Sequence, residues 1–159
     1  TNLDQFSVNS IARIEVRPGE TTTIDPGVLK VQVSNPGVHV NAAVVDSETG
    51  ERHGGFTPVS SSVTLMPGVY DLRFAKSEWR FVKVDGGKTV TLRPAAVILA
   101  PGLKWKAARV TTQDGTEVFR FDAVTSRAAL PPGDYIVEVD GNKIPFPATE
   151  GEVLEIKPQ

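Results

Sequence analysis

Side chains that could do chemistry are few in this sequence. It contains no cysteine, which excludes disulfides, thiolate zinc sites, iron–sulfur clusters and cysteine nucleophiles. Its two histidines are His39 and His53. His39 alternates with Val38 and Val40, which predicts an outward-facing residue of a strand, and His53 precedes two glycines in a predicted loop. We therefore expect two surface or loop imidazoles and no zinc site.

Hydroxyls, glycine turns and acidic turns also lack the spacing that chemistry requires. Ser60–Ser62 lies outside any Gly-x-Ser-x-Gly turn and has no histidine placed to activate it. Asp85–Lys88 is no phosphate-binding loop and predicts a hairpin turn. Asp46–Glu48 and Asp114–Glu117 lack the spacing of a calcium loop, so their aspartates are expected to cap turns, with calcium left open. We predict no enzyme, no catalytic residue, no cofactor and no metal, although carboxylates that converge only in the fold stay open.

Two short segments place a tryptophan beside cations. An exposed tryptophan can stack on a sugar ring or anchor a protein contact. However, Trp79 alternates with Phe81, and Trp105 alternates with Leu103 and Ala107, which favours inward-facing rings. Core packing is therefore the alternative for both tryptophans. Five residues are candidates for a ligand or partner surface: Trp79, Arg80, Lys104, Trp105 and Lys106.

The elements that must position these residues are predicted to be strands. Apolar residues recur with a period of two, which is typical of half-buried β-strands. Fourteen glycines and twelve prolines separate these stretches as turns. Only Ala123–Leu130 could form a helical turn, and Pro131–Pro132 would end it. The alternating stretches are Ala12–Val16, Leu29–Val33, Val38–Val44, Val63–Leu65, Tyr70–Phe74, Tyr135–Val139 and Leu154–Ile156.

Composition limits the class of protein further. The 159 residues include 17 Lys+Arg and 19 Asp+Glu, and this net charge of -2 argues against a dedicated nucleic-acid binder. A hydrophobic content of 40% is ordinary for a globular chain. No apolar run approaches the ~18 residues of a membrane span, so we expect no membrane insertion.

An internal repeat organises the chain. Leu65–Tyr70 recurs 65 residues later as Leu130–Tyr135. A strand, a glycine turn and a second strand then follow in each copy. We interpret the turns at Asp85–Lys88 and Asp140–Lys143 as equivalent positions of the repeat. The same order of elements opens the chain, so the protein is expected to be a piece of something longer.

The repeat predicts three segments. Residues 1–26 are the closing β segment of a preceding unit or an added strand pair, and residues 27–94 and 95–159 are two β-sandwich units. Each unit has a thin core, so the two are expected to lean on each other. Whether they form separate sandwiches or share a sheet stays open at this point.

The first unit resembles a known group of repeats. Leu29–Val40, Gly55–Pro58 and Leu65–Leu72 resemble the PEGA-type repeat and the carboxypeptidase-regulatory-like, transthyretin-like and Cna-B-like β-sandwiches of bacterial exported proteins. The second unit keeps Leu-Pro-Pro-Gly-Asp-Tyr at 130–135 but lacks the Gly-x-Thr-Pro stretch. The resemblance implies that Pro-Gly-Tyr turns into a strand with the tyrosine packed inward. The histidine, arginine and Tyr-Arg-Gly-Ser set of transthyretin-like hydrolases has no counterpart.

These observations together predict an all-β chain of tandem Ig-like or prealbumin-like antiparallel sandwiches. The resemblance implies a non-catalytic extracytoplasmic module, a spacer or protein-interaction domain in a larger bacterial surface or periplasmic protein. Its partner would be a protein or a cell-surface glycan, and strand addition at a sheet edge would be the simplest way to bind a protein. The alternatives are a carbohydrate-binding module and a small enzyme with a convergent site. The oligomeric state is left open.

Overall fold

A computed structural model describes residues 18–21, 23–103, 107–122 and 125–157. These residues form short β-strands and one 3₁₀ turn at Pro101–Leu103, so the predicted all-β class is confirmed. The first seven strands are β1 (Gly27–Val31), β2 (Ala42–Asp46), β3 (Arg52–Phe56), β4 (Ser62–Leu65), β5 (Gly68–Phe74), β6 (Ser77–Val84) and β7 (Thr89–Leu92). The next seven are β8 (Ala95–Leu99), β9 (Ala108–Thr112), β10 (Glu117–Phe121), β11 (Arg127–Leu130), β12 (Gly133–Val139), β13 (Asn142–Ala148) and β14 (Val153–Ile156).

The strands form four sheets with a repeated order. Strands β1–β7 form a three-stranded sheet, β4-β1-β7, and a four-stranded sheet, β3-β2-β5-β6. Strands β8–β14 repeat this order as β11-β8-β14 and β10-β9-β12-β13. Across the described ranges, each strand pairs only within its own group of seven. We call strands β1–β7 the first sandwich and strands β8–β14 the second sandwich.

Strand direction departs from the prediction in one respect. The pairs are antiparallel except for β1 with β7 and β8 with β14, which are parallel. The last strand of each sandwich follows a strand of the opposite sheet and lies beside the first strand in the same direction. Predicted residues 1–26 lie mostly outside the described part, and residues 23–26 contain no strand.

Each sandwich has its own apolar core, to which both of its sheets contribute. Leu29 and Leu65 come from the smaller sheet of the first sandwich, and Val44 and Leu72 come from the larger one; all four are fully buried. In the second sandwich the fully buried residues include Val97, Leu99, Val110, Phe121 and Val137. Side chains that alternate along a strand thus meet across two sheets, as the period of two predicts.

The repeated Leu-x-Pro-Gly-x-Tyr segment has the same geometry in both sandwiches. The Tyr70 hydroxyl donates a hydrogen bond to the Met66 carbonyl at 2.8 Å, and that of Tyr135 donates to the Pro131 carbonyl at 3.0 Å. Both rings are buried, as expected, and burial raises the pKa of both hydroxyls. A Cβ at Gly68 would lie 3.3 Å from the Tyr70 ring. The glycine lets the ring pack closely over the backbone, and a Cβ there would push the ring outward by a few tenths of an ångström.

Three local predictions are wrong. Leu103 lies in the 3₁₀ turn and Ala107 precedes β9, so these residues do not alternate along one strand. Arg127–Leu130 forms β11 instead of part of a helical turn, because its backbone pairs with Ala95–Ile98 of β8. Asp85–Lys88 joins β6 to β7, which belong to different sheets, so it is no hairpin.

The match between the closing turns of the two copies is also wrong. Asp140 and Gly141 join β12 to β13, the place that Ala75 and Lys76 occupy between β5 and β6. The true counterpart of Asp85–Lys88 is the connection from β13 to β14. The turns at Asp85–Lys88 and Asp140–Lys143 both begin with Asp-Gly, although they lie at different places in the repeat. Their similar sequences therefore predict a match that the order of strands does not support.

Candidate functional site

The structure separates the predicted surface candidates. Trp79 and Arg80 lie on β6, whereas Lys104, Trp105 and Lys106 lie outside the described residues. Trp79 is half-buried and packs against the first core, in agreement with its core alternative. Phe81, expected to point inward beside Trp79, is instead 67% exposed.

A β-bulge in β6 is the reason for this reversal. Leu72 of β5 pairs with Trp79, and Tyr70 pairs with Val82. Two residues of β6, Arg80 and Phe81, therefore lie opposite one residue of β5. The extra residue shifts the alternation, so that Val82 is buried while Phe81 faces solvent.

The bulge places Phe81 in a strained backbone conformation. Its φ is 58°, in the left-handed region that a bulky side chain rarely adopts. This region costs an ordinary residue about 1–2 kcal/mol relative to the right-handed one. Such strain persists only where neighbouring groups hold it, and it is often found at functional positions.

Asp71, the β5 residue opposite the bulge, keeps Phe81 in this backbone conformation. Its carboxylate is buried, with the residue only 2% exposed. One oxygen accepts a hydrogen bond from the Phe81 N–H at 2.9 Å and another from the Ser47 hydroxyl at 2.7 Å. The second oxygen lies 3.6 Å from Nε of Arg80. Burial opposes ionisation, but these hydrogen bonds and the guanidinium outweigh it, so the pKa of Asp71 is lowered.

Arg80 completes the surface of the bulge. Its guanidinium carbon lies 5.0 Å from the centroid of the Phe81 ring, within the range of a cation–π contact. Glu78 lies 3.7 Å from Arg80 and 3.1 Å from Arg73. These ion pairs are exposed and add little stability. They fix the guanidinium beside an exposed aromatic ring, and we call Arg80 and Phe81 the bulge pair.

The corresponding strand of the second sandwich has no bulge. Val137 pairs with Ile144, and Tyr135 pairs with Phe146, so one residue lies opposite Ile136. Phe146 is consequently buried and stacks on the Tyr135 ring at 5.9 Å between centroids. The two sandwiches therefore share a fold but differ at this strand.

The two strands also differ as sheet edges. Both β6 and β13 end the strand order of a four-stranded sheet. Strand β13 contains Pro145 and Pro147, which have no N–H to offer a further strand, whereas β6 contains no proline. The edge with the bulge pair is thus the one that keeps its backbone donors.

The histidines do not meet at a site. His39 is exposed, as predicted, but lies between β1 and β2 and not within a strand. His53 lies in strand β3 and not in a loop; its ring packs edge-to-face on Tyr70 at 5.6 Å. Its Nδ1 is buried and has no hydrogen-bond partner within the described residues.

The acidic turns do cap themselves. Asp46 accepts hydrogen bonds from the N–H groups of Glu48 at 2.9 Å and Thr49 at 2.7 Å, and these bonds lower its pKa. Asp114 accepts hydrogen bonds from the Thr116 N–H and the Thr112 hydroxyl. The described residues contain no group of three or more His, Asp or Glu side chains arranged to hold a metal ion.

Two comparisons with known proteins give no relative. No protein-family model matches this chain, and a search of curated proteins finds no match. In the part of the chain that the structure describes, no helix has the length and apolar character to cross a membrane.

Sequence reasoning missed Asp71 and the exposure of Phe81. One signal was present: Asp71 is an acidic residue between Tyr70 and Leu72, at a strand position where the second sandwich has Ile136. Only the pairing with β6 reveals that this carboxylate is buried and that it caps a bulge.

Proposed function

We propose that this chain is a non-catalytic extracytoplasmic module that acts as a spacer or protein-interaction domain within a larger bacterial surface or periplasmic protein, with the bulge pair as its contact point. The observation that supports it is the exposed, strained Phe81 held by a buried carboxylate. A residue that costs stability and faces solvent contributes little to folding, so a role in binding explains its position.

The chemistry of the bulge pair suits a protein partner. Aromatic and arginine side chains dominate the energetics of protein interfaces, and here they lie next to each other. The guanidinium is already ordered by Asp71 and Glu78, so less side-chain freedom is lost on binding. Among the described strands, β6 lies at the edge of its sheet, where a partner strand can form main-chain hydrogen bonds.

The carbohydrate-binding alternative has less support. A sugar platform needs an exposed tryptophan or tyrosine. Trp79 is half-buried against the core, and Tyr70 and Tyr135 are buried. Trp105 lies outside the described residues, so acrylamide quenching of the two indoles remains the measurement that separates these alternatives.

The test is a binding comparison between two exposed apolar positions. Three immobilised proteins are each incubated with an envelope fraction of the source cells: the wild type, Phe81→Ser and the control Val59→Ser. Val59 is 97% exposed, in the turn closed by Thr57 and Ser60. We expect a captured protein to be retained by wild type and Val59→Ser and lost with Phe81→Ser.

The affinity of the purified partner for each of the three proteins is then measured. Loss of an interface hot spot weakens binding by at least about 2 kcal/mol, or roughly thirtyfold. Calorimetry should show this weakening for Phe81→Ser and no change for Val59→Ser. Equal affinity of all three proteins would contradict a role for the bulge pair.

A further inference from the structure

A cleft lies between the two sandwiches. Its volume is about 590 Å³, within the range of small-molecule sites, and both sandwiches contribute to its walls. Phe74 and Asn41 come from the first sandwich and its connections, and Phe119 and Arg127 come from the second. The cleft is distinct from the bulge pair, neither member of which lines it.

Arg127 is the one fully cationic side chain of the described lining. It is exposed and makes no hydrogen bond or ion pair with any described residue, in contrast to Arg73, Arg80, Arg109 and Arg120. Among its described residues the lining contains no Asp or Glu. Within this part of the chain the guanidinium is therefore a positive charge beside a cavity that has no carboxylate partner.

The backbone at Gly37 makes room for this guanidinium. A Cβ at Gly37 would collide with Nη1 of Arg127, so the arginine lies directly against the turn that contains Gly37. Gly102 stands 65 residues later in the sequence, and a Cβ there would meet nothing within 4 Å. The glycine at 37 thus positions a side chain from the other sandwich.

The rest of the described lining is mostly apolar, with polar side chains on the facing side. Phe74, Phe119 and Leu130 supply apolar wall, and the exposed His39 and Asn41 lie on the opposite sandwich from Arg127. An apolar cavity with a few convergent polar groups is the usual composition of a ligand site. A guanidinium without a carboxylate partner matches a carboxylate on the ligand.

We propose that this cleft binds a small monocarboxylate with an apolar body. The carboxylate pairs with Arg127, and the apolar body lies against the phenylalanine walls. The two sides of the ligand contact different sandwiches, since both contribute to the walls of the cleft.

The test uses 4-phenylbutyrate and its neutral analogue 4-phenylbutyramide. In calorimetry at low salt the acid should bind wild type with a Kd of about 1 mM, as suits a ligand of this size. The amide should bind the wild type at least about tenfold more weakly, because the charge-assisted hydrogen bond is lost. The acid should lose as much affinity when Arg127→Gln replaces the wild type. Arg127→Lys should retain part of the affinity.

Two glycine variants give a matched control. Gly37→Ala displaces the guanidinium but keeps its charge, so it should weaken binding of 4-phenylbutyrate measurably and by less than Arg127→Gln does. Gly102→Ala should bind like wild type, and circular dichroism checks that all variants are folded. No binding up to about 10 mM acid, equal binding of acid and amide, or unchanged affinity of Arg127→Gln would overturn the proposal. None of these results depends on the bulge pair.

Discussion

Strands β6 and β13 occupy the same position in two sandwiches of the same topology. The phenylalanine of β13 faces the core, whereas that of β6 faces solvent. Phe146 packs inward on Tyr135, whereas Phe81 projects into solvent beside Arg80. The difference is one residue: β6 places two residues opposite Asp71 where β13 places one opposite Ile136. The position opposite the tyrosine stays buried in both sandwiches, as Val82 and as Phe146, and the one inserted residue adds a solvent-facing position, Phe81, without altering the sheet order.

The comparison also shows what such a change requires. An extra residue leaves a backbone N–H without a ladder partner, and an unpaired buried donor is costly. In the first sandwich the buried carboxylate of Asp71 accepts that N–H, and Ser47 supports the carboxylate. The second sandwich needs neither group, because its ladder is regular across Ile136.

The largest predicted effect compares the two phenylalanines directly. Phe146→Ala should destabilise the protein by about 3–5 kcal/mol, since it empties a buried position. Phe81→Ala should change stability by no more than about 0.5 kcal/mol, because the ring is mostly exposed. Urea denaturation measures both. Similar losses for the two variants would mean that Phe81 is part of a core.

A second prediction tests the capping role of Asp71. Asp71→Ile leaves the Phe81 N–H and the Ser47 hydroxyl without their acceptor and should cost about 2–3 kcal/mol. Deleting Phe81 in the same background removes the bulge and gives the arrangement of the second sandwich. We expect the deletion to recover most of the lost stability. If it does not, the carboxylate and the bulge are independent of each other.

A smaller effect of opposite sign is expected at the strained residue itself. Phe81→Gly should stabilise the fold by about 0.5–1 kcal/mol, because glycine adopts positive φ without strain. The same change removes the aromatic ring and should abolish partner binding. Thermal unfolding measures the first effect and calorimetry the second. A destabilised Phe81→Gly would show that the bulge carries no strain.

The last prediction concerns how the contribution of Asp71 to stability depends on pH. The pKa of Asp71 is lowered in the folded state, so its stabilisation is present above the unfolded value of about 3.9 and is lost as pH falls through the folded value. The stability difference between wild type and Asp71→Asn should therefore be constant near neutral pH and shrink below about pH 4. A difference that stays constant in acid would show that the carboxylate does not gain its hydrogen bonds on folding.

The sequence was informative where local chemistry repeats. The resemblance carried by Leu-x-Pro-Gly-x-Tyr implied that both tyrosines pack inward, and both rings are buried. The hydrogen bonds of their hydroxyls to the Met66 and Pro131 carbonyls are a finding of the structure alone. Alternation predicted the strands β5, β12 and β14, whose apolar core residues recur at every second position; the buried Asp71 of β5 is the exception.

The candidate site was less predictable because it depends on register. Trp79 and Phe81 alternate in sequence, and only the partner strand shows that an extra residue lies between the paired positions. The cleft at Arg127 likewise depends on Gly37, a residue 90 positions away in the chain. Neither contact leaves a local pattern.

The parallel pairing of first and last strands has a mechanical consequence. Since β1 and β7 run in the same direction, the chain enters each sandwich at one end and leaves it at the other, as also holds for β8 and β14. Tension applied to the two ends of a sandwich would load the hydrogen bonds between these strands together, in shear, and would not open them one by one. We expect a sandwich of this topology to need a larger force to unfold than one in which the terminal hydrogen bonds open in sequence.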